Sequence, residues 1–165
     1  MTTWHRHPSP IGDLLLTAEG GSLTGLYTAG HRHAHATPAG EQSASAFANI
    51  CGQLDAYFAG ALRAFDVTIR PAGTPFQHRV WDYLLSIPFG ETRTYLDIAR
   101  FIGSPDAARA VGAANGANPI SIIVPCHRVI AKDGSLQGYA GGTRAKQWLL
   151  DHEARFARTT AFATC

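Results

Sequence analysis

Cysteine is scarce in this chain of 165 residues: Cys51, Cys126 and Cys165 are the only three, and none stands in a CxxC pair. That excludes a disulfide framework of the kind that staples small secreted domains. Long apolar runs are missing too. No stretch approaches the roughly 20 residues of a membrane span, and residues 1–8 lack the apolar core of a signal peptide. A reducing cytoplasm is therefore the expected setting, and it would keep the thiols free. Charge is also modest, at 16% of residues with a net of +2. A strongly basic nucleic-acid binder is excluded, and only local phosphate contacts are allowed. Those contacts belong to the second half, because residues 1–75 carry four Arg against five acids, whereas residues 76–165 carry ten Lys and Arg against seven. With 45% hydrophobic residues the chain is globular, long enough for one domain or two small ones.

The densest chemical signal is Pro125-Cys126-His127-Arg128-Val129, set between the apolar run 120–124 and the glycine-rich loop Gly138-Tyr139-Ala140-Gly141-Gly142. A cysteine beside His and Arg is placed where a thiolate would be stabilised, and thiolate is the nucleophilic form. The preceding proline keeps the chain out of a helix interior. Two readings stand on the pentad alone: a presented nucleophile, or a buried structural cysteine.

Two short strands are expected at 14–17 and 23–27, joined by Glu19-Gly20-Gly21-Ser22. A helix over 43–58 places Phe47, Ile50, Cys51, Leu54 and Phe58 on one face, which makes Cys51 a core residue. Residues 65–69 alternate like a half-buried strand, and Arg70-Pro71-Ala72-Gly73 reads as a linker. The expected domains are 1–72 and 73–165. His31, His33 and His35 alternate in a polar loop, but no further Cys or His joins them. A solvated loop rather than a metal centre is expected there.

The second half is helical. Thr74-Pro75-Phe76-Gln77 and Thr94-Tyr95-Leu96-Asp97 are capping boxes. Gly103 closes the second helix, and Ser104-Pro105 opens a third at once. This is a helix-turn-helix candidate. Its third helix is rich in small side chains, including Ala107, Ala108 and Ala110. Alanines permit close approach either to a DNA backbone or to another helix. Arg109 is the one long charged group in the middle of that helix.

Taken together, Asn118-Pro119, Pro125 through Ile130, Gly138 through Gly142, Trp148-Leu149-Leu150 and His152-Glu153 resemble the O6-alkylguanine-DNA alkyltransferases of bacterial type. The likeness is strong over 76–153 and looser over 1–70, where Ser9-Pro10-Ile11-Gly12 and Asp55, Tyr57, Phe58 and Gly60 match. It implies an α+β protein: a small N-terminal antiparallel sheet plus helix, ribonuclease-H-like, then a helical domain with a helix-turn-helix. It also implies direct, irreversible transfer of the alkyl group of O6-alkylguanine to Cys126, with O4-alkylthymine as a second candidate substrate. His127 would take the thiol proton through a bound water, and Glu153 would orient the histidine. Tyr95 would donate toward the guanine, and Asn118 would hold the active-site turn. Arg109 would fill the space left by a flipped base, while Ala107, Ala108 and Ala110 face the minor groove. Tyr139 would wall the pocket. Ala140, which is serine in some relatives, would offer its backbone N–H to the guanine oxygen. Arg128 belongs to the DNA-facing set or pairs with an acid. The resemblance implies no metal and no cofactor, a monomer that binds duplex DNA carrying the lesion, and possible cooperativity along it.

Two other functions fit parts of the pattern. A non-catalytic alkyl-lesion sensor on the same fold would replace the nucleophile, and Cys126 speaks against that. A cysteine hydrolase also uses Cys with His, but it has no use for the Asn118-to-Glu153 constellation.

Overall fold

The computed structural model describes residues 1–136 and 139–163. Four strands form the N-terminal sheet: β1 (Thr2–His7), β2 (Leu14–Glu19), β3 (Ser22–Tyr27) and β4 (Glu41–Gln42). Their order is β3-β2-β1-β4. β2 and β3 form the expected hairpin, turning at Gly20 and Gly21, both at positive φ, the left-handed region that favours glycine. The sheet is mixed rather than purely antiparallel, because β4 pairs with β1 in parallel. β1 carries no apolar alternation, and its strand state comes from its full-length pairing with β2. Residues 65–69 keep an alternating burial but are not a strand. They pair with β3 in a single isolated bridge, Leu23–Ile69.

Helix α1 (Ala48–Phe58), entered through a single 3-10 turn, buries Ile50, Cys51, Leu54 and Tyr57. In the second half α2 (Pro75–Leu85) and α3 (Tyr95–Ile102) each start at a complete capping box, on Thr74 with Gln77 and on Thr94 with Asp97. Such caps satisfy two otherwise orphaned backbone donors at each helix start. Gly103 ends α3 in the left-handed conformation. A 3-10 turn at Pro105–Ala107 then leads into α4 (Ala108–Gly116). The buried Trp81 indole donates to the Ala114 carbonyl at 2.8 Å and ties α4 to α2.

A second, two-stranded sheet was not legible in the sequence. β5 (Arg93–Thr94) pairs in parallel with β6 (Val129–Ile130). It fixes the chain leaving Cys126 against the chain entering α3. The long helix α5 (Thr143–Ala163) closes the molecule. One apolar cluster runs through both halves, from Leu14 and Leu16 through Trp81 and Ile98 to Leu149. Among the described residues no helix is long and apolar enough to cross a membrane.

Candidate active site

The apolar run before Cys126 is not a strand but a tight turn held by one side chain. Asn118 donates through Nδ2 to the carbonyls of Ile120 (3.3 Å) and Val124 (2.8 Å), and its Oδ1 accepts from the Ile120 N–H at 3.0 Å. Ile122 sits at φ 72 inside this turn. A β-branched residue there is a true outlier and costs on the order of 1–3 kcal/mol. β3 adds support from the N-terminal half, since Leu26 N–H donates to Pro119 and Leu26 C=O accepts from Ser121. Cys126 N–H then bonds back to Val124 C=O across Pro125, an inverse γ-turn. The result places Cys126 at the head of a 3-10 turn, with its residue only 3% exposed.

Glu153 reaches into the same region from α5 and is 1% exposed. It accepts from His127 Nε2 (2.7 Å), from Arg128 Nε and Nη2 (2.8 and 3.0 Å), and from the Tyr57 hydroxyl (2.7 Å). Burial alone would raise its pKa, but His127 and Arg128 outweigh that and hold the carboxyl well below its usual range. It is a carboxylate. Since Nε2–H of His127 is committed to Glu153, the lone pair of the neutral ring lies on Nδ1, which is buried without a partner among the described protein atoms. Burial keeps His127 neutral by lowering its pKa against the pull of Glu153.

The flanking charges do not activate the thiol in the way the sequence suggests. Burial raises the Cys126 pKa, and the Asn118 amide and the Lys146 ammonium offset this only in part. His127 is neutral and the Arg128 charge is paired with Glu153, so little positive potential is left for the thiol. The resting pair is thiol and neutral imidazole.

Of the two roles open to Arg128, pairing with an acid is the one observed, and its place in the DNA-facing set is corrected. It is 7% exposed, caps the Ile87 carbonyl through Nη1 at 2.7 Å and pairs with Glu153, so it is not a DNA-facing group. Tyr95, the first residue of α3, is half-buried, and burial followed by the nearness of Cys126 raises its pKa; it remains a protonated phenol. Tyr139 is buried, its pKa raised by burial and by Cys126, and its hydroxyl has no partner among the described atoms. Thr28 Oγ1, Ser121 Oγ and Asn115 Oδ1 share that condition. Buried polar atoms without partners are costly, and five of the six in the described residues, His127 Nδ1 among them, surround the Cys126 turn or its facing loop. Gly138, expected in the glycine-rich loop, lies outside the described residues, as does Cys165.

Arg109 and Ala110 are exposed on α4, Ala107 and Ala108 are half-buried, and Val111, Ala114 and Asn115 face inward. Of the alanines, Ala114 packs inside, while Ala110 stands exposed on the outer face. A cleft of about 570 Å³ opens between the 30–33 loop and the end of α4, and Ala140 reaches its wall. His31 is 7% exposed there, against Tyr27 and His33, rather than solvated. A Cβ on Gly30 would stand 2.4 Å from the Gly141 carbonyl, so only glycine permits this loop to seat against the active-site loop.

Two residues beside the site escaped the sequence reading. Lys146 is 0% exposed, donates to the Val129 carbonyl and feels the Cys126 sulfur. Its signal was a charged residue on the buried stripe of α5, at positions 146, 149 and 153. Tyr57 reaches Glu153 from 96 residues away, and no local pattern reports that.

The chain matches two family models in tandem: the ribonuclease-like domain of 6-O-methylguanine DNA methyltransferase over residues 3–71, and its DNA-binding domain over 75–155. A methylated-DNA–protein-cysteine methyltransferase of Mycobacterium tuberculosis is 53% identical over 149 residues, covering 88% of each chain. One from Methanosarcina acetivorans is 48% identical over 146 residues, covering 88% of this chain and 94% of its own. Among solved structures, Mycobacterium tuberculosis OGT in complex with DNA superposes with a TM-score of 0.87 at 48% identity, over 93% of this chain and 94% of that one. On both sequence and structure, this chain belongs to the 6-O-methylguanine DNA methyltransferase family.

Proposed function

We propose that the protein repairs O6-alkylguanine in duplex DNA by moving the alkyl group irreversibly to Cys126, once per molecule. It is thus a methylated-DNA–[protein]-cysteine S-methyltransferase. The observation that carries this is the buried Cys126–His127–Glu153 arrangement, with the free His127 Nδ1 as proton acceptor. His127 takes the thiol proton through a bound water. The Cys126 sulfur attacks the alkyl carbon, the carbon–O6 bond breaks, and its electron pair stays with guanine. Tyr95 supplies the proton that neutralises the departing base, a role that suits a phenol held protonated, and the proton held on His127 is returned to the phenolate through solvent. Glu153 stabilises the imidazolium formed in between. The carbon–sulfur bond of an alkyl thioether is not cleaved by water, so the protein is consumed.

A thiol cannot reach a stacked base, so the lesion must leave the duplex. Arg109, exposed on the outer face of α4, is assigned to the gap, with Ala110 and Ala107 permitting approach to the minor groove. The 73–165 unit carries these elements, and the 1–72 unit buttresses them through Tyr57 and β3. We place the protein in a reducing cytoplasm, a setting supported by the free thiols of Cys51 and Cys126.

Incubation with methylated duplex DNA is expected to add about 14 Da, one methylene, to the Cys126 peptide, once per protein. Intact-mass spectra without that adduct, on folded and DNA-bound protein, would overturn the assignment. Multiple turnover on an ester would instead favour the hydrolase reading. Arg109→Ala is expected to slow repair of duplex DNA by about 10-fold or more while leaving reaction with free O6-methylguanine near wild type, because only the duplex demands a flipped base. Equal slowing of both in single-turnover assays would remove Arg109 from that role.

A further inference from the structure

A second cluster of reactive side chains lies at the β1–α1 junction and takes no part in alkyl transfer. His5 and His7 alternate along β1, so both leave the same face of the sheet. α1 meets that face with Cys51 and Asp55, one helical turn apart. One ring nitrogen from each histidine and the Cys51 sulfur all lie within 4.8 Å of one another. His7 Nε2 bonds to Asp55 Oδ1 at 2.6 Å, a bond that coordination of an ion through Nδ1 would keep. His5 Nδ1 is buried with no hydrogen-bond partner. A buried ring nitrogen without a partner is an unfavourable arrangement unless something binds it.

We propose that His5, His7 and Cys51 form a mononuclear site for a divalent transition metal of the zinc class, with Asp55 orienting His7. Two imidazoles and one thiolate are the donors such ions prefer. A carboxylate on the far nitrogen of a ligating histidine is the usual outer partner, fixing its tautomer and direction. Tetrahedral coordination places N and S ligands about 3.5 Å apart, so closing the site takes shifts of about 1 Å, within the reach of side-chain rotation. Binding replaces the Cys51 S–H by a sulfur–metal bond and releases the proton to solvent. Solvent completes the fourth position. The ion would clip the polar first strand, whose pairing is otherwise with β2 and two residues of β4, to the first helix.

The test uses the full-length protein, stripped with chelator and titrated with Co²⁺ as a spectroscopic probe. One equivalent is expected to give the intense visible bands of tetrahedral cobalt and a thiolate-to-cobalt charge-transfer band, both removed by Zn²⁺. The charge-transfer band should persist in Cys126→Ser and vanish in Cys51→Ser. Zn²⁺ should raise the Tm of the wild type and of Cys126→Ser but not of His5→Ala, each verified as folded by circular dichroism. No cobalt band in the folded wild type, or a band that survives Cys51→Ser or disappears in Cys126→Ser, would overturn the proposal.

Discussion

Cys126→Ser is expected to abolish alkyl transfer while leaving the protein folded. Removing a covalent nucleophile costs on the order of 10⁶-fold, and a serine hydroxyl facing neutral His127 has no comparable route to its anion. The side chain is nearly isosteric and sits in a turn whose geometry is set by Asn118 and the backbone rather than by sulfur. The stability loss should therefore stay near 1 kcal/mol, the cost of one more buried hydroxyl. Methylated duplex DNA should still bind, since α4 and Arg109 are untouched. Single-turnover assays with labelled DNA, paired with gel-shift measurement, separate the two effects. Residual transfer within tenfold of wild type would move the alkyl acceptor to another residue.

Glu153→Ala should act on both stability and chemistry. Three side chains lose their shared acceptor at once, and the guanidinium of Arg128 is left buried without its counter-charge. Removing one partner of a buried pair costs about 3–5 kcal/mol, a large part of the 5–15 kcal/mol available to a typical domain. Urea unfolding should show the midpoint fall accordingly. Glu153→Gln is the milder probe: it keeps the shape, and the variant should fold, but it no longer fixes the His127 tautomer. The corresponding exchange in a catalytic triad costs about 10⁴-fold. If Glu153→Gln transfers methyl at the wild-type rate, His127 is not working through Glu153.

The same carboxylate sets an acid limit. Its folded pKa is depressed from 4.5, so the unfolded chain binds the proton first and stability is lost as pH falls through and below that value. His127 acts in the same direction from higher up, because its folded pKa lies below 6.5 and the unfolded imidazole protonates earlier. Stability should therefore decline with acid from about pH 6.5 downward. Glu153→Gln should flatten the lower part of that curve.

Much of the fold and of the site was legible because the relevant signals are local. Capping boxes at Thr74 and Thr94, the glycine stop at Gly103 and the core stripe through Cys51 each depend on neighbours within one or two helical turns. β1 escaped because its residues have no strand pattern of their own, and β5 and β6 because two-residue strands leave no period to detect.

What the amino-acid order determined by itself was the cast: a cysteine in an extended turn, a histidine beside it, an asparagine before it and an acid one helix later. What only the tertiary structure decided was their electrical state. Arg128 could have activated Cys126, met DNA or paired with an acid, and Glu153, brought in by α5, decides for the last by absorbing its charge. Tyr57 reaches that carboxylate from the other half of the chain, and Lys146 is folded against the sulfur from α5. Burial then raises the thiol and lowers the imidazole, leaving both neutral at rest. Sequence neighbours set which groups can meet, while desolvation and partners supplied across the fold set which of them carries charge.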